Sequence, residues 1–150
     1  MKSVVGVVMA VLFSVQVFAG NAPFTVVKLS SSGDLRMLLQ QHEQQAEKQH
    51  EKLFVELDAD WCIHCRKLNA TLGDAKMQRA FRGAYIVQVD EDKWKNQLGS
   101  IGINPVGIPA FYQIDRDGMA TTYTINGGAW GEDTVANMAP PLKKYFSNAK

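Results

Sequence analysis

Apolar positions fall into distinct patterns along this chain. From Val4 to Phe18 they run almost unbroken, diluted only by Gly6, Ser14 and Gln16. Leu35, Leu38, Leu39, His42 and Ala46 then recur at helical spacing, which predicts a helix from about Asp34 to Lys52. The Gln-, Glu- and Lys-rich remainder of that helix has little to bury and reads as a solvated face. The runs Leu53–Asp58 and Ala84–Val89 are continuous and rich in β-branched or aromatic residues, as buried strands are. Ala110–Ile114 and Met119–Ile125 flank Asp115-Arg116-Asp117-Gly118, which predicts a β-hairpin. Thr25-Val26-Val27 adds a short edge strand.

Punctuation residues set the remaining boundaries. Ser31-x-x-Asp34 resembles a capping box, with Asp in place of the usual Glu. Gly73-Asp74 breaks the chain and supplies a new N-cap, after which Ala75–Phe81 forms a short segment with Met77 and Phe81 inward. Asp90–Lys93 is a charged exit from its strand, followed by a helical turn over Trp94–Leu98. Gly99–Pro109 is rich in turn residues, and Gly127-Gly128 ends the hairpin. A last helix spans about Glu132 to Phe146, and Pro140-Pro141 should interrupt or kink it. Strands joined through helices pair in parallel, whereas a hairpin adds antiparallel strands. The expected class is therefore α/β: a mixed central sheet with helices on both faces, in one domain over residues 20–150.

The amino-terminal run is too short for a membrane span of roughly 20 apolar residues. It follows Met1-Lys2 and ends in Val17-Phe18-Ala19, the small-residue spacing of a signal-peptide cleavage site. Residues 1–19 are thus expected to be a signal peptide and the protein exported, periplasmic in type; cleavage after Ala22 and a retained anchor are the rival outcomes. Losing Lys2 takes the formal net charge from +1 to 0. Such a balance offers no electrostatic footprint for nucleic acid or an acidic membrane.

Export changes how the two cysteines are read. Outside the cytosol a cysteine pair usually serves as a permanent staple. A staple stabilises most when it closes a long loop, and Cys62-Ile63-His64-Cys65 closes a loop of two intervening residues. Reversible disulfide chemistry suits that spacing better. The strand Leu53–Leu57 leads into the pair, and a helix through Arg66-Lys67-Leu68 follows it. The first sulfur therefore stands at a helix N-terminus, where unpaired N–H groups and the helix dipole favour the thiolate. Glu56 is a lone carboxylate among Leu53, Phe54, Val55 and Leu57; desolvation should raise its pKa and suit it to proton exchange with Cys65.

Four features in order resemble the thioredoxin superfamily, and in tone its exported members, over roughly Leu53 to Phe146. They are Trp61-Cys62-x-x-Cys65 after a strand, a carboxylate six residues before the first cysteine, Gly107-Ile108-Pro109 before a hairpin, and Gly127-Gly128 after it. The resemblance implies a thioredoxin fold and a thiol–disulfide oxidoreductase, more reductase or interchange than oxidase. It makes Cys62 the exposed nucleophile and Cys65 the buried resolving thiol. Pro109 would follow a cis peptide bond, and its backbone would accept a substrate segment as an added strand. Trp61, Ile63, Ile108, Gly128 and Ala129 would ring the site, with Trp94 and Trp130 as packing residues. Glu56 matches the family's buried acid, although the family usually has Asp there, and Gln88 stands where a basic neighbour is common. His64 would favour the Cys62 thiolate and so make the disulfide more oxidising.

On this reading the Cys62–Cys65 disulfide is the only redox group, with no further cofactor and no metal. Partners would be protein thiols and disulfides, with a membrane electron-transfer partner in reserve, no nucleic acid, and a monomeric chain. The alternative is an exported copper-binding module that joins both thiolates to His64, His42 or His50.

Overall fold

A computed structural model describes residues 24–30 and 32–150. The expected signal peptide lies outside the described residues. Among them no helix is long and apolar enough to cross a membrane.

Five strands form one sheet: β1 (Thr25–Lys28), β2 (Lys52–Asp58), β3 (Ala84–Asp90), β4 (Ala110–Ile114) and β5 (Ala120–Asn126), in the order β1-β3-β2-β4-β5. β1 and β2 run parallel to β3, while β4 runs antiparallel to β2 and β5 to β4. β1, β2 and β3 follow one another through helices and pair in parallel, whereas β4 and β5 are joined by a hairpin and pair antiparallel. Among the described residues the α-helices are α1 (Leu35–Lys48), α2 (Ile63–Ala70), α3 (Ala75–Ala80), α4 (Glu91–Leu98) and α5 (Val135–Asn148).

Because β2 is central and covered on both faces, its side chains are buried alternately in two cores. Phe54 joins Ile86, Phe111, Leu68, Phe81 and Phe146 beneath α2, α3 and α5. Leu53, Val55 and Leu57 join Val87, Leu39 and Trp94 beneath α1 and α4. Phe146 meets Phe54 and Phe111 edge to face, at ring separations of 4.9 and 5.3 Å, the geometry that aromatic quadrupoles prefer. This two-sided packing makes β2 a fixed support, and its carboxyl end carries the cysteines.

Several local features differ from expectation. Ser31 lies outside the described residues, and Asp34 itself caps α1 by accepting a hydrogen bond from the Met37 N–H at 2.9 Å. That helix ends at Lys48 rather than near Lys52. His50 takes a left-handed φ of 58°, and the Glu51 N–H returns to the Ala46 carbonyl, so Lys52 already belongs to β2. The charged run after β3 is the start of α4, because the Asp90 carboxylate caps the N–H groups of Asp92 and Lys93. Glu91 and Asp92 then occupy the first turn, where they complement the helix dipole. Finally, α5 continues through Pro140 and Pro141. The carbonyls deprived of a donor belong to Ala136 and Asn137, both exposed residues, so they are placed where solvent can satisfy them.

Candidate active site

Cys62 is the N-cap of α2. Its Sγ accepts a hydrogen bond from the Cys65 N–H at 3.1 Å, and the two sulfurs are bonded, with Cα atoms 5.3 Å apart. The placement at a helix N-terminus is as expected, but the exposure is not. Both cysteines are only 2% exposed. Capping draws Sγ of Cys62 inward toward the Cys65 amide, and Ala59 and Ile108 close around the pair.

Ile108 precedes Pro109 through a cis peptide bond. The Pro109 carbonyl accepts the Gly127 N–H at 3.0 Å, and proline has no N–H. That bond ties the Pro109 backbone to the Gly127-Gly128 turn, and the adjacent Ile108 takes no part in it. Gly128 donates its N–H to Asn126 Oδ1 at 3.0 Å. Between the Ile108-Pro109 turn and the Gly127-Gly128 turn lies a cleft of about 350 Å³, walled on its other side by His64 and Asp133. A larger cavity of about 680 Å³ lies among Glu43, Glu47, Arg116 and Tyr123 and includes neither cysteine.

Trp61 and Ile63 are exposed beside the pair, as expected of a rim, while Trp94 and Trp130 are buried. The Trp61 indole N–H donates to Asp92 Oδ2 at 2.7 Å, which orients the ring. Val106 was not anticipated. At 87% exposure it is the most exposed large apolar side chain among the described residues. Nothing in the local pattern distinguishes it, because its exposure depends on the path of the turn.

Glu56 is buried on β2, in register with Gln88 of β3. Gln88 donates to its Oε2 at 3.0 Å and, from the same nitrogen, to Asn69 of α2 at 2.9 Å. The other oxygen, Oε1, has no partner among the described residues. Burial pushes the carboxyl up to about 8, against which the Gln88 bond works. Two residues on, and so on the same face of β2, Asp58 is also buried with an unpartnered oxygen. Burial raises its pKa too, opposed by Lys28.

Nδ1 of His64 lies 2.6 Å from Asp133 Oδ2, so a carboxylate holds the imidazole. Asp133 also accepts the Trp130 indole N–H at 3.2 Å. The remaining histidines stand apart, with His42 bonded to the Tyr85 hydroxyl at 3.1 Å. Among the described residues no group of three or more His, Cys, Asp or Glu side chains is placed to hold a metal ion, so the copper alternative gains no ligand set from them.

Comparison with known proteins agrees with this geometry. The disulphide isomerase of Xylella fastidiosa Temecula1 superposes with a TM-score of 0.57 at 20% identity, over 79% of this chain and 93% of that one. The thioredoxin NaTrxh of Nicotiana alata gives 0.51 at 16% identity, over 81% and 92%. Both likenesses are of fold. The chloroplastic thioredoxin-like protein HCF164 is 35% identical over 65 residues in both Oryza sativa subsp. japonica and Arabidopsis thaliana. That match takes in 43% of this chain, which spans about a quarter (24%) of the length of those relatives. The thioredoxin family model matches residues 35–139, a stretch that holds the cysteine pair, Glu56 and the cis proline. The chain belongs to the thioredoxin family.

Proposed function

We propose that this protein exchanges disulfides with protein substrates through Cys62 and Cys65, working as a reductase or in interchange rather than as an oxidase. The observation that carries the reading is the bonded cysteine pair at the N-cap of α2, packed against Ile108, the residue before the cis proline. In the reduced form the Cys62 sulfur keeps the Cys65 amide as donor, which favours its thiolate. That thiolate attacks a substrate disulfide and forms a mixed disulfide. Cys65 then attacks Sγ of Cys62, and its proton passes to Glu56, whose raised pKa suits it to accept near neutrality. The substrate leaves reduced and the pair is oxidised.

Ile108 covers the pair and must swing aside as a substrate docks. An extended segment would add beside Ile108 and lay its side chains on Trp61, Ile63 and Val106. Burying one such side chain is worth roughly 1.5 kcal/mol. Val106→Ser is accordingly expected to lower kcat/KM for a protein substrate by about 10-fold, measured by steady-state reduction. The disulfide is itself the redox group, so the chemistry calls for no organic cofactor. A single chain holds the whole site, and we place it outside the cytosol, with electrons supplied by a membrane partner.

Insulin is a suitable probe. In the presence of dithiothreitol the protein should accelerate the reduction of insulin disulfides, and Cys62→Ser should remove the acceleration. Equal rates with and without the wild-type protein would overturn the reading.

A further inference from the structure

The His64–Asp133 pair has no part in the exchange as described so far, yet it forms one wall of the cleft beside Pro109. It joins the first turn of α2 to the segment before α5, across 69 residues of sequence. The Asp133 side chain is 5% exposed and that of His64 is 60% exposed. The carboxylate is thus a buried anchor and the imidazole a surface group. Lys67 lies 3.9 Å from the same carboxylate oxygen and Trp130 donates to the other. Burial works against ionisation of Asp133, but the bonds from His64 and Trp130 outweigh it and hold its carboxyl below the usual range.

An ionised carboxylate only accepts hydrogen bonds, so the proton between the two groups belongs to Nδ1 of His64. When the ring is singly protonated, Nε2 is left as the basic nitrogen; when doubly protonated, Nε2 is the nitrogen with a proton to give. Nε2 has no hydrogen-bond partner among the described residues, and the ring lines the cleft that a docked substrate would fill.

We propose that His64 is the acid that protonates the departing substrate sulfur, and that Asp133 is the positioning residue that turns and holds it for this task. The proposal rests on the exchange reading above. The Cys62 thiolate attacks one sulfur of the substrate disulfide; the new Cys62–sulfur bond forms as the substrate's S–S bond breaks. The electron pair leaves on the second substrate sulfur, which takes the Nε2 proton of the His64 imidazolium and departs as a thiol. His64, now neutral with Nδ1–H still held by Asp133, regains its proton from water. Two electrons pass from the protein's thiols to the substrate over the full cycle, which Cys65 completes by bonding to Cys62.

The test uses the leaving group. Reduced protein is mixed separately with hydroxyethyl disulfide, whose alkyl thiolate leaves poorly, and with a nitrophenyl disulfide, whose thiolate leaves without a proton. Any change in the nucleophilicity of Cys62 moves both rates together and cancels in their ratio. His64→Gln and Asp133→Asn should each lower the alkyl-to-aryl rate ratio by about 10-fold, modest for acid catalysis because thiolates leave readily. The double variant should lower it no further, since both residues act through one proton. An unchanged ratio in His64→Gln, a substitution at an exposed side chain, overturns the proposal even if Asp133→Asn fails to fold. In that event normal wild-type rates leave the exchange reading intact, whereas a wild-type protein that reduces neither disulfide removes both.

Discussion

Cys65→Ser should stop turnover after one exchange and leave the substrate bonded to Cys62. With Cys65 in place, the resolving thiol is held one helical turn from the sulfur it attacks, in a bonded geometry with Cα atoms 5.3 Å apart. Well-oriented intramolecular reactions reach effective concentrations of about 10⁵ M or more. A millimolar external thiol cannot replace a group with that advantage, so turnover should fall by at least about 10³-fold. Mass spectrometry of the non-reduced protein after mixing with an oxidised protein substrate would detect the adduct. Cys62→Ser should give none. An adduct forming as readily in Cys62→Ser as in Cys65→Ser would reverse the roles assigned to the two sulfurs.

Glu56→Gln should produce the largest change in stability. Burial raises the Glu56 carboxyl from 4.5 to about 8, so the native protein retains a proton there over a range in which the unfolded chain has released it. The native state then binds more protons, and stability falls with rising pH across that window. The contribution is fully present below about 4.5, is lost progressively as pH climbs, and levels off above about 8. Each pKa unit corresponds to 1.36 kcal/mol, so the whole effect is on the order of 5 kcal/mol, large beside a typical domain stability of about 5–15 kcal/mol. Gln cannot ionise. Urea denaturation of the oxidised variant should show it gaining on the wild type as pH rises from about 4 to about 9. Asp58, also raised by burial, pushes Glu56 further up through its charge, so it enters the difference only through that coupling. A difference constant over that range would show that Glu56 does not titrate as described. The same substitution should slow release of substrate by Cys65 about 10-fold at neutral pH.

The frame of this fold was legible where the cause is local. Continuous apolar runs identified β2 and β3 because both faces of those strands are covered. The hairpin followed from Asp115 to Gly118, and the thiolate-favouring position of Cys62 followed from a strand leading into a helix. Resemblance, not periodicity, anticipated the cis bond before Pro109. The start of α4 was also legible in principle: Asp90 followed by two acids is an N-cap and first turn, but it reads equally as a solvated run.

What escaped the sequence depends on contacts between distant segments. Asp133 offers no local signal as the partner of His64, since the two meet only when α2 and the segment before α5 pack together. The burial of Cys62 depends on Ile108, more than forty residues away in sequence, and the exposure of Val106 follows from the same turn. The Gln-rich end of α1 was overextended because helix propensity continues past Lys48. Only the left-handed residue His50 and the bond from Glu51 back to Ala46 stop it.

Equilibration of the protein against glutathione buffers of graded poise, with alkylation and mass measurement of the thiols, asks most directly whether the pair under Ile108 opens and closes. One two-electron transition is expected at a potential between about −270 and −120 mV, the span from thioredoxin to the strong oxidant of its superfamily. A disulfide that stays closed across the whole series, or cysteines that take up glutathione without ever bonding to each other, would contradict it.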